Sequence, residues 1–124
     1  PSVIERVVLG KNDTSPVQLK KFPGMAAFLS YDRKTNKAIL TLDPGKTPLV
    51  VESATARLPL AWPAPGVLRK SKQVTVAMKT DFVFELPPVV ADPGERPTLW
   101  LEVDFRRGDG AGRLHILLDK QQQI

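Results

Sequence analysis

The chain has 124 residues, of which 42% are hydrophobic and 25% are charged, so it is long enough to bury a core and is not composed like a disordered protein. It contains no cysteine, which excludes disulfides and thiolate metal sites, and no apolar run approaches the roughly 20 residues that span a bilayer. The net charge of +5 favours an anionic partner without selecting among nucleic acid, anionic lipid and acidic protein.

Prolines and glycines interrupt the chain often: 12 Pro and 8 Gly separate short runs in which apolar and polar residues alternate. Because proline removes a backbone donor and fixes φ, this pattern predicts strands joined by turns rather than helices. We therefore expect one all-β domain over residues 1–124, an antiparallel β-sandwich or small barrel of about seven to eight strands.

In the first half of the chain, the apolar pattern predicts four strands, over residues 2–9, 17–22, 25–31 and 37–42. The polar link between the last two is typical of a β-hairpin. The segment Asp43-Pro44-Gly45-Lys46 has proline and glycine where a reverse turn needs them.

A longer strand is predicted over residues 48–60, and strict alternation places on one of its faces Val50, Glu52, Ala54 and Ala56. Further strands are predicted over residues 67–78, 82–86, 99–106 and 114–118, with a glycine-rich hairpin tip at 107–112. The proline-rich segments 59–66 and 87–97 are expected to cross the surface as extended connectors, because central strands cannot lose so many donors.

The sequence shows no pattern of catalytic or metal-binding residues. The single histidine, His115, lies between two core-type residues, so we expect it to face solvent, and one imidazole without cysteine makes no zinc site. Glu102 and Asp104 share a strand face, but Arg106 and Arg113 beside them indicate surface ion pairs rather than an acid and a base. We therefore predict a protein that is not an enzyme and uses no cofactor.

The predicted hairpin tip contains Arg107-Gly108-Asp109, which resembles the tripeptide that adhesion receptors recognise. Glycine and aspartate are also the residues that a tight turn demands. We interpret the tripeptide as a turn.

Two tryptophans are candidate anchors for a partner: Trp62 lies in a proline-rich connector, and Trp100 lies on the strand face opposite the apolar one. Either ring is equally able to cover the open edge of a small core.

The densest basic cluster comprises Arg69, Lys70 and Lys72, and it supports an alternative function, a basic nucleic-acid-binding β-barrel. No aromatic residue lies near this cluster for bases to stack on, so a protein partner is the first hypothesis.

The segment Phe82–Pro87, followed by Ala91-Asp92-Pro93 and the strand pair 99–106 and 113–119, resembles the C-terminal part of the pilotins of type III secretion systems, the YscW and ExsB group. The resemblance covers the C-terminal third of the chain. It implies a lipoprotein at the periplasmic face of the outer membrane that binds a secretin subunit and aids its localisation or assembly. It implies no small-molecule substrate and no cofactor. The lipid anchor would lie upstream of Pro1, because we expect a chain that begins without Met to be processed or truncated.

Overall fold

The computed structural model describes residues 3–9, 15–32, 34–35, 37–57, 67–70, 73–85 and 99–118, with the backbone alone at residues 57 and 67–70. These ranges contain no helix. Their ten strands are β1 (Val3–Leu9), β2 (Val17–Gln18), β3 (Ala26–Asp32), β4 (Lys37–Asp43), β5 (Leu49–Arg57), β6 (Val67–Lys70), β7 (Val74–Val76), β8 (Thr80–Glu85), β9 (Leu99–Arg107) and β10 (Gly110–Leu118). The predicted all-β class is confirmed, with more strands than expected.

The strands form two sheets. The six-stranded sheet has the order β1-β10-β9-β5-β6, with β7 also paired to β5, and the four-stranded sheet has the order β2-β3-β4-β8. Strand β1 runs parallel to β10, and every other described pair is antiparallel. The predicted antiparallel arrangement is therefore wrong for β1, because the N-terminal strand joins the C-terminal strand rather than its neighbour in the chain.

One hydrophobic core cluster joins the inner faces of both sheets. Its largest fully buried side chains are Phe84, Phe105, Leu9, Met25, Leu29, Leu40, Leu42, Leu49, Leu99, Leu101 and Leu114. Alternate residues of β4, β8, β9 and β10 are buried, as the apolar alternation of these segments predicts. Each fully buried leucine or phenylalanine contributes roughly 1.5–3 kcal/mol, so the core stabilises the packing of the sheets.

Strand β5 departs from the predicted alternation. Its register with β9 shifts between Val51 and Ser53, which marks a β-bulge. Because the bulge inserts one extra residue, Val51 and Ala54 are both buried although they are an odd number of residues apart. The prediction that Glu52 shares a face with Ala54 and Ala56 is therefore wrong.

Three predicted elements have different bounds in the structure. The single strand expected over 67–78 is two strands, β6 and β7, which both pair with β5, and Met78 lies beyond them with 74% of its surface exposed. The strand expected over 17–22 is only the two residues of β2. The hairpin tip is a turn at Gly108 and Asp109, since β9 and β10 already pair at Arg107 and Gly110. The connectors at 59–66 and 87–97 lie outside the described residues.

The Arg107 side chain has a structural role at this hairpin tip. Its Nη2 donates a hydrogen bond to the backbone oxygen of Pro23, in the turn that precedes β3. The bond ties the end of the six-stranded sheet to the four-stranded sheet. The presence of Arg107 at this position is therefore explained by its hydrogen bond within the fold, without recognition by an adhesion receptor.

A buried carboxylate joins β1 to the segment after β2. Glu5 is only 7% exposed, and its Oε2 and Oε1 accept hydrogen bonds from the backbone amides of Lys20 at 2.8 Å and Lys21 at 2.7 Å. Hydrogen bonds from backbone N–H groups to a charged carboxylate are among the stronger ones in proteins. Glu5 therefore holds the edge of one sheet against the edge of the other.

We expect Glu5→Ala to lower the free energy of unfolding by about 2 kcal/mol, because it leaves two partly buried amides without their acceptor. Urea denaturation measures the loss. The matched control is Glu85→Ala, which removes a side chain that is 82% exposed and pairs only loosely with Lys37 at 3.9 Å, and it should change stability by less than about 0.5 kcal/mol. Equal losses for the two variants would contradict this role of Glu5.

Candidate functional site

The side chains that point away from the core on β1, β10 and β9 form three rows across the six-stranded sheet. The rows follow from the register of the strands: Val8–Leu117–Trp100, Arg6–His115–Glu102 and Ile4–Arg113–Asp104. We call this surface the outer face. It combines one apolar row with two rows that are mainly polar.

The apolar row of the outer face is open to solvent. Val8 is 59% exposed, Trp100 is 36% exposed, and Leu117 between them is partly exposed. A shallow cavity of about 230 Å³ is lined by Trp100 and Leu117 together with Arg6 and His115. Neighbouring exposed apolar side chains that include a tryptophan are typical of a contact surface for another macromolecule.

His115 packs against Trp100. The two rings meet edge to face, with centroids 5.6 Å apart and an interplanar angle of 74°, and His115 Nε2 is 2.9 Å from Glu102 Oε1. The prediction that His115 points away from the core is confirmed. The expectation that it faces solvent is wrong, because its side chain is only 16% exposed between these two neighbours.

Arg113 pairs with the two carboxylates of the outer face. Its Nε donates a hydrogen bond of 2.6 Å to Asp104 Oδ1, and its Nη1 lies 3.8 Å from Glu102 Oε1. The hydrogen bond with Asp104 raises the pKa of the Arg113 guanidinium above its usual value. The predicted ion pairs at Glu102 and Asp104 are confirmed for Arg113. Arg113 therefore engages both carboxylates, and Glu102 in turn contacts His115.

A groove lies between the outer edge of β1 and the segment of β2. It has a volume of about 400 Å³ and is lined by Glu5, Arg6, Val7, Val8, Val17, Gln18, Lys20 and Lys21. The Lys21 side chain reaches this edge and donates a hydrogen bond of 2.7 Å from Nζ to the backbone oxygen of Ile4. The groove adjoins the apolar row, because Val8 belongs to both.

Of the five residues that the sequence suggested as contacts for a partner, Trp100 alone has a side chain that the structure describes. Trp62 and Lys72 lie outside the described residues. Arg69 and Lys70 belong to β6, which stands at the opposite end of the strand order from β1, and their side chains are not described. The strand order therefore does not bring Arg69 and Lys70 to the edge where the groove lies.

Sequence reasoning missed Val8 and Leu117, although a signal for them exists. Each has an apolar residue directly before it and directly after it, in the runs Val7-Val8-Leu9 and Ile116-Leu117-Leu118. Since successive side chains of a strand point to opposite faces, one apolar residue in each run must point away from the core.

Among the described residues, no group of three or more histidine, aspartate and glutamate side chains is placed to hold a metal ion. The described part of the chain also contains no helix of the length and apolarity needed to span a membrane. Comparisons of the chain with protein families, with curated proteins and with solved structures give no match.

Proposed function

We propose that this protein is not an enzyme but a binding and assembly protein, a pilotin that binds a secretin subunit of a type III secretion system and aids its localisation or assembly. One observation supports a binding role above all: the exposed row of Val8, Leu117 and Trp100 lies beside an edge of β1 that no described strand covers. The identity of the partner rests on the resemblance of the C-terminal third of the chain to pilotins.

The outer face combines two features of protein-binding surfaces, an exposed aromatic side chain and polar groups beside it. Trp100 offers a large apolar area that is held in place by His115, so little conformational freedom is lost when a partner covers it. The ion pairs of Arg113 lie beside it, and polar groups of this kind select among partners more than they add affinity. A partner segment that covers the apolar row would therefore bind with both affinity and selectivity.

The test is a binding titration of the purified chain with the C-terminal segment of a secretin. We expect Trp100→Ala to weaken binding at least about tenfold, since truncating a tryptophan that anchors an interface commonly costs 2 kcal/mol or more. The control is Met78→Ala, which removes an apolar side chain that is more exposed than Trp100 and lies between β7 and β8, neither of which carries the outer face. Thermal melting of both variants separates lost binding from lost folding.

Absence of binding at tens of micromolar would refute the proposed partner, as would unchanged affinity in the folded Trp100→Ala variant.

The alternative is a basic nucleic-acid-binding module, supported by the net charge of +5 and by the cluster Arg69, Lys70 and Lys72. It predicts binding to an oligonucleotide that collapses as the salt concentration rises. On the outer face Arg6 and Arg113 are balanced by Glu102 and Asp104, so this face offers no excess of positive charge to a phosphate backbone.

The proposed location is the periplasmic face of the outer membrane, with a lipid anchor upstream of Pro1. This part of the proposal follows from the resemblance to pilotins alone. It is tested by the residues encoded before Pro1, where an apolar stretch that ends in a lipobox cysteine is expected.

A further inference from the structure

The edge of β1 that faces away from β10 offers backbone groups to a further strand. Among the described strands, β1 pairs with β10 alone. The backbone oxygen of Ile4 points to the other edge, where it accepts the hydrogen bond from Lys21 Nζ. Because the backbone groups of successive strand residues point to alternate sides, Arg6 and Val8 present their N–H and C=O groups at the same edge as Ile4.

The groove beside this edge has room for an extended chain. Its volume of about 400 Å³ lies between β1 and the segment that contains Val17 and Gln18. Val8 and the partly buried Val17 supply apolar contacts. A segment placed here would also reach the apolar row of the outer face, since Val8 stands at the end of that row.

The charge of the groove selects the kind of segment. Arg6, Lys20 and Lys21 are exposed and line the groove, whereas Glu5 is the single carboxylate in the lining. Both oxygens of that carboxylate already accept hydrogen bonds from backbone amides, and the Glu5 side chain is buried. Three cations against one engaged carboxylate make the groove attractive to acidic side chains.

We propose that an extended, acidic segment of a partner protein binds along the outer edge of β1 as an added strand. Its backbone pairs with Arg6 and Val8, and its acidic side chains contact Arg6, Lys20 and Lys21. This inference rests on the proposed function, in that the chain holds another protein, and it names the mode of binding and the chemistry of the segment. Exposed lysines at a strand edge repel unwanted strands, so an acidic segment that neutralises them gains selectivity.

The probe is a seven-residue peptide of alternating glutamate and valine with blocked ends, which matches the length of β1. Its matched partner has lysine in place of each glutamate. By calorimetric titration into the full chain, we expect the acidic peptide to bind at least about tenfold more tightly than the basic one. Slower hydrogen exchange at the amides of Arg6 and Val8 in the complex would place the peptide on the edge of β1. Equal binding of the two peptides, or exchange unchanged at both amides, would overturn the proposal.

Charge-reversal variants test the groove without altering the core. Arg6→Glu and Lys20→Glu should each weaken binding of the acidic peptide about tenfold, because the replaced side chains are exposed cations of the lining. Lys79→Glu is the matched control: it makes the same charge change before β8, at the other edge of the four-stranded sheet from β2, and should leave the affinity unchanged. Equal effects at all three positions would show attraction by the net charge alone and would overturn the proposal.

The same variants separate this inference from the proposed function. A secretin segment that binds wild type and is insensitive to Arg6→Glu and Lys20→Glu would leave the pilotin function standing and overturn strand addition at β1. Binding of the acidic peptide at β1 without any binding of the secretin segment would support the inference and refute the pilotin function. An oligonucleotide that protects the amides of Arg6 and Val8 as strongly as the acidic peptide would overturn the choice of a protein segment.

Discussion

Gly45→Ala is expected to lower the free energy of unfolding by about 3 kcal/mol, as measured by urea denaturation. Gly45 has a φ of +70°, a conformation that costs residues with a Cβ roughly 1 kcal/mol or more. A Cβ at this position would also lie 2.3 Å from the backbone oxygen of Gly24, so one of the two turns must move. The turn that follows β4 packs directly on the turn that precedes β3, and only glycine allows that approach.

The control for Gly45→Ala is Gly108→Ala. Gly108 has a φ of +60°, but a Cβ there would meet no atom within 4 Å. This variant therefore carries the backbone strain without the collision and should cost roughly 1 kcal/mol. If the two variants lose the same stability, the close approach of Gly45 to Gly24 is not important for the fold.

Gly112→Val is expected to lower the free energy of unfolding by about 2–3 kcal/mol. Gly112 lies on the core side of β10, under an edge-to-face pair formed by Phe22 and Phe105, whose ring centroids are 4.9 Å apart. A Cβ at Gly112 would lie 2.6 Å from Phe105 Cζ and 2.8 Å from Phe22 Cε1. The larger valine side chain must displace both rings, which join the two sheets at this point.

Gly110→Val is the matched control for Gly112→Val. Gly110 is in the same strand, is exposed, and would bring its Cβ no closer than 3.6 Å to any atom outside its chain neighbours. Because valine favours strands, this variant should be neutral or slightly stabilising. Comparable losses at both positions would show that valine disturbs the strand itself rather than the packing of the two phenylalanines.

Gly112 matters for the candidate site because it lies in β10, one of the strands that carry the outer face. Gly112 directly precedes Arg113 in β10, and Arg113 orders the carboxylates of the outer face. A shift of β10 that relieves the collision would move Arg113 and His115 relative to Trp100 on β9. We therefore expect the Gly112→Val variant, where it still folds, to show weaker partner binding as well as lower stability.

Several parts of the site follow from local sequence. Alternation of apolar residues placed Trp100 and His115 on the face away from the core, and the charges of Glu102, Asp104 and Arg113 indicated their ion pairs. These inferences succeed because β9 and β10 form a hairpin, in which residues near in sequence become neighbours in space. The face of β5 was predicted wrongly, since a bulge depends on the strand opposite and leaves no mark in alternation.

The groove and the full apolar row needed information from distant parts of the chain. Val8 meets Leu117 only because β1 lies parallel to β10, and no local pattern specifies which strand an N-terminal segment joins. The contact of Glu5 with the amides of Lys20 and Lys21 likewise depends on how the edges of the two sheets approach each other.

By itself the sequence determined the all-β class of this protein, its hairpins and the inward or outward direction of most strand residues, because these depend on the short-range periodicity of side chains and on turn residues. Strand order, the bulge in β5 and the cationic groove beside β1 were decided by the tertiary structure alone. They arise from pairings between segments that are distant in the chain, and the packing of the whole core selects those pairings.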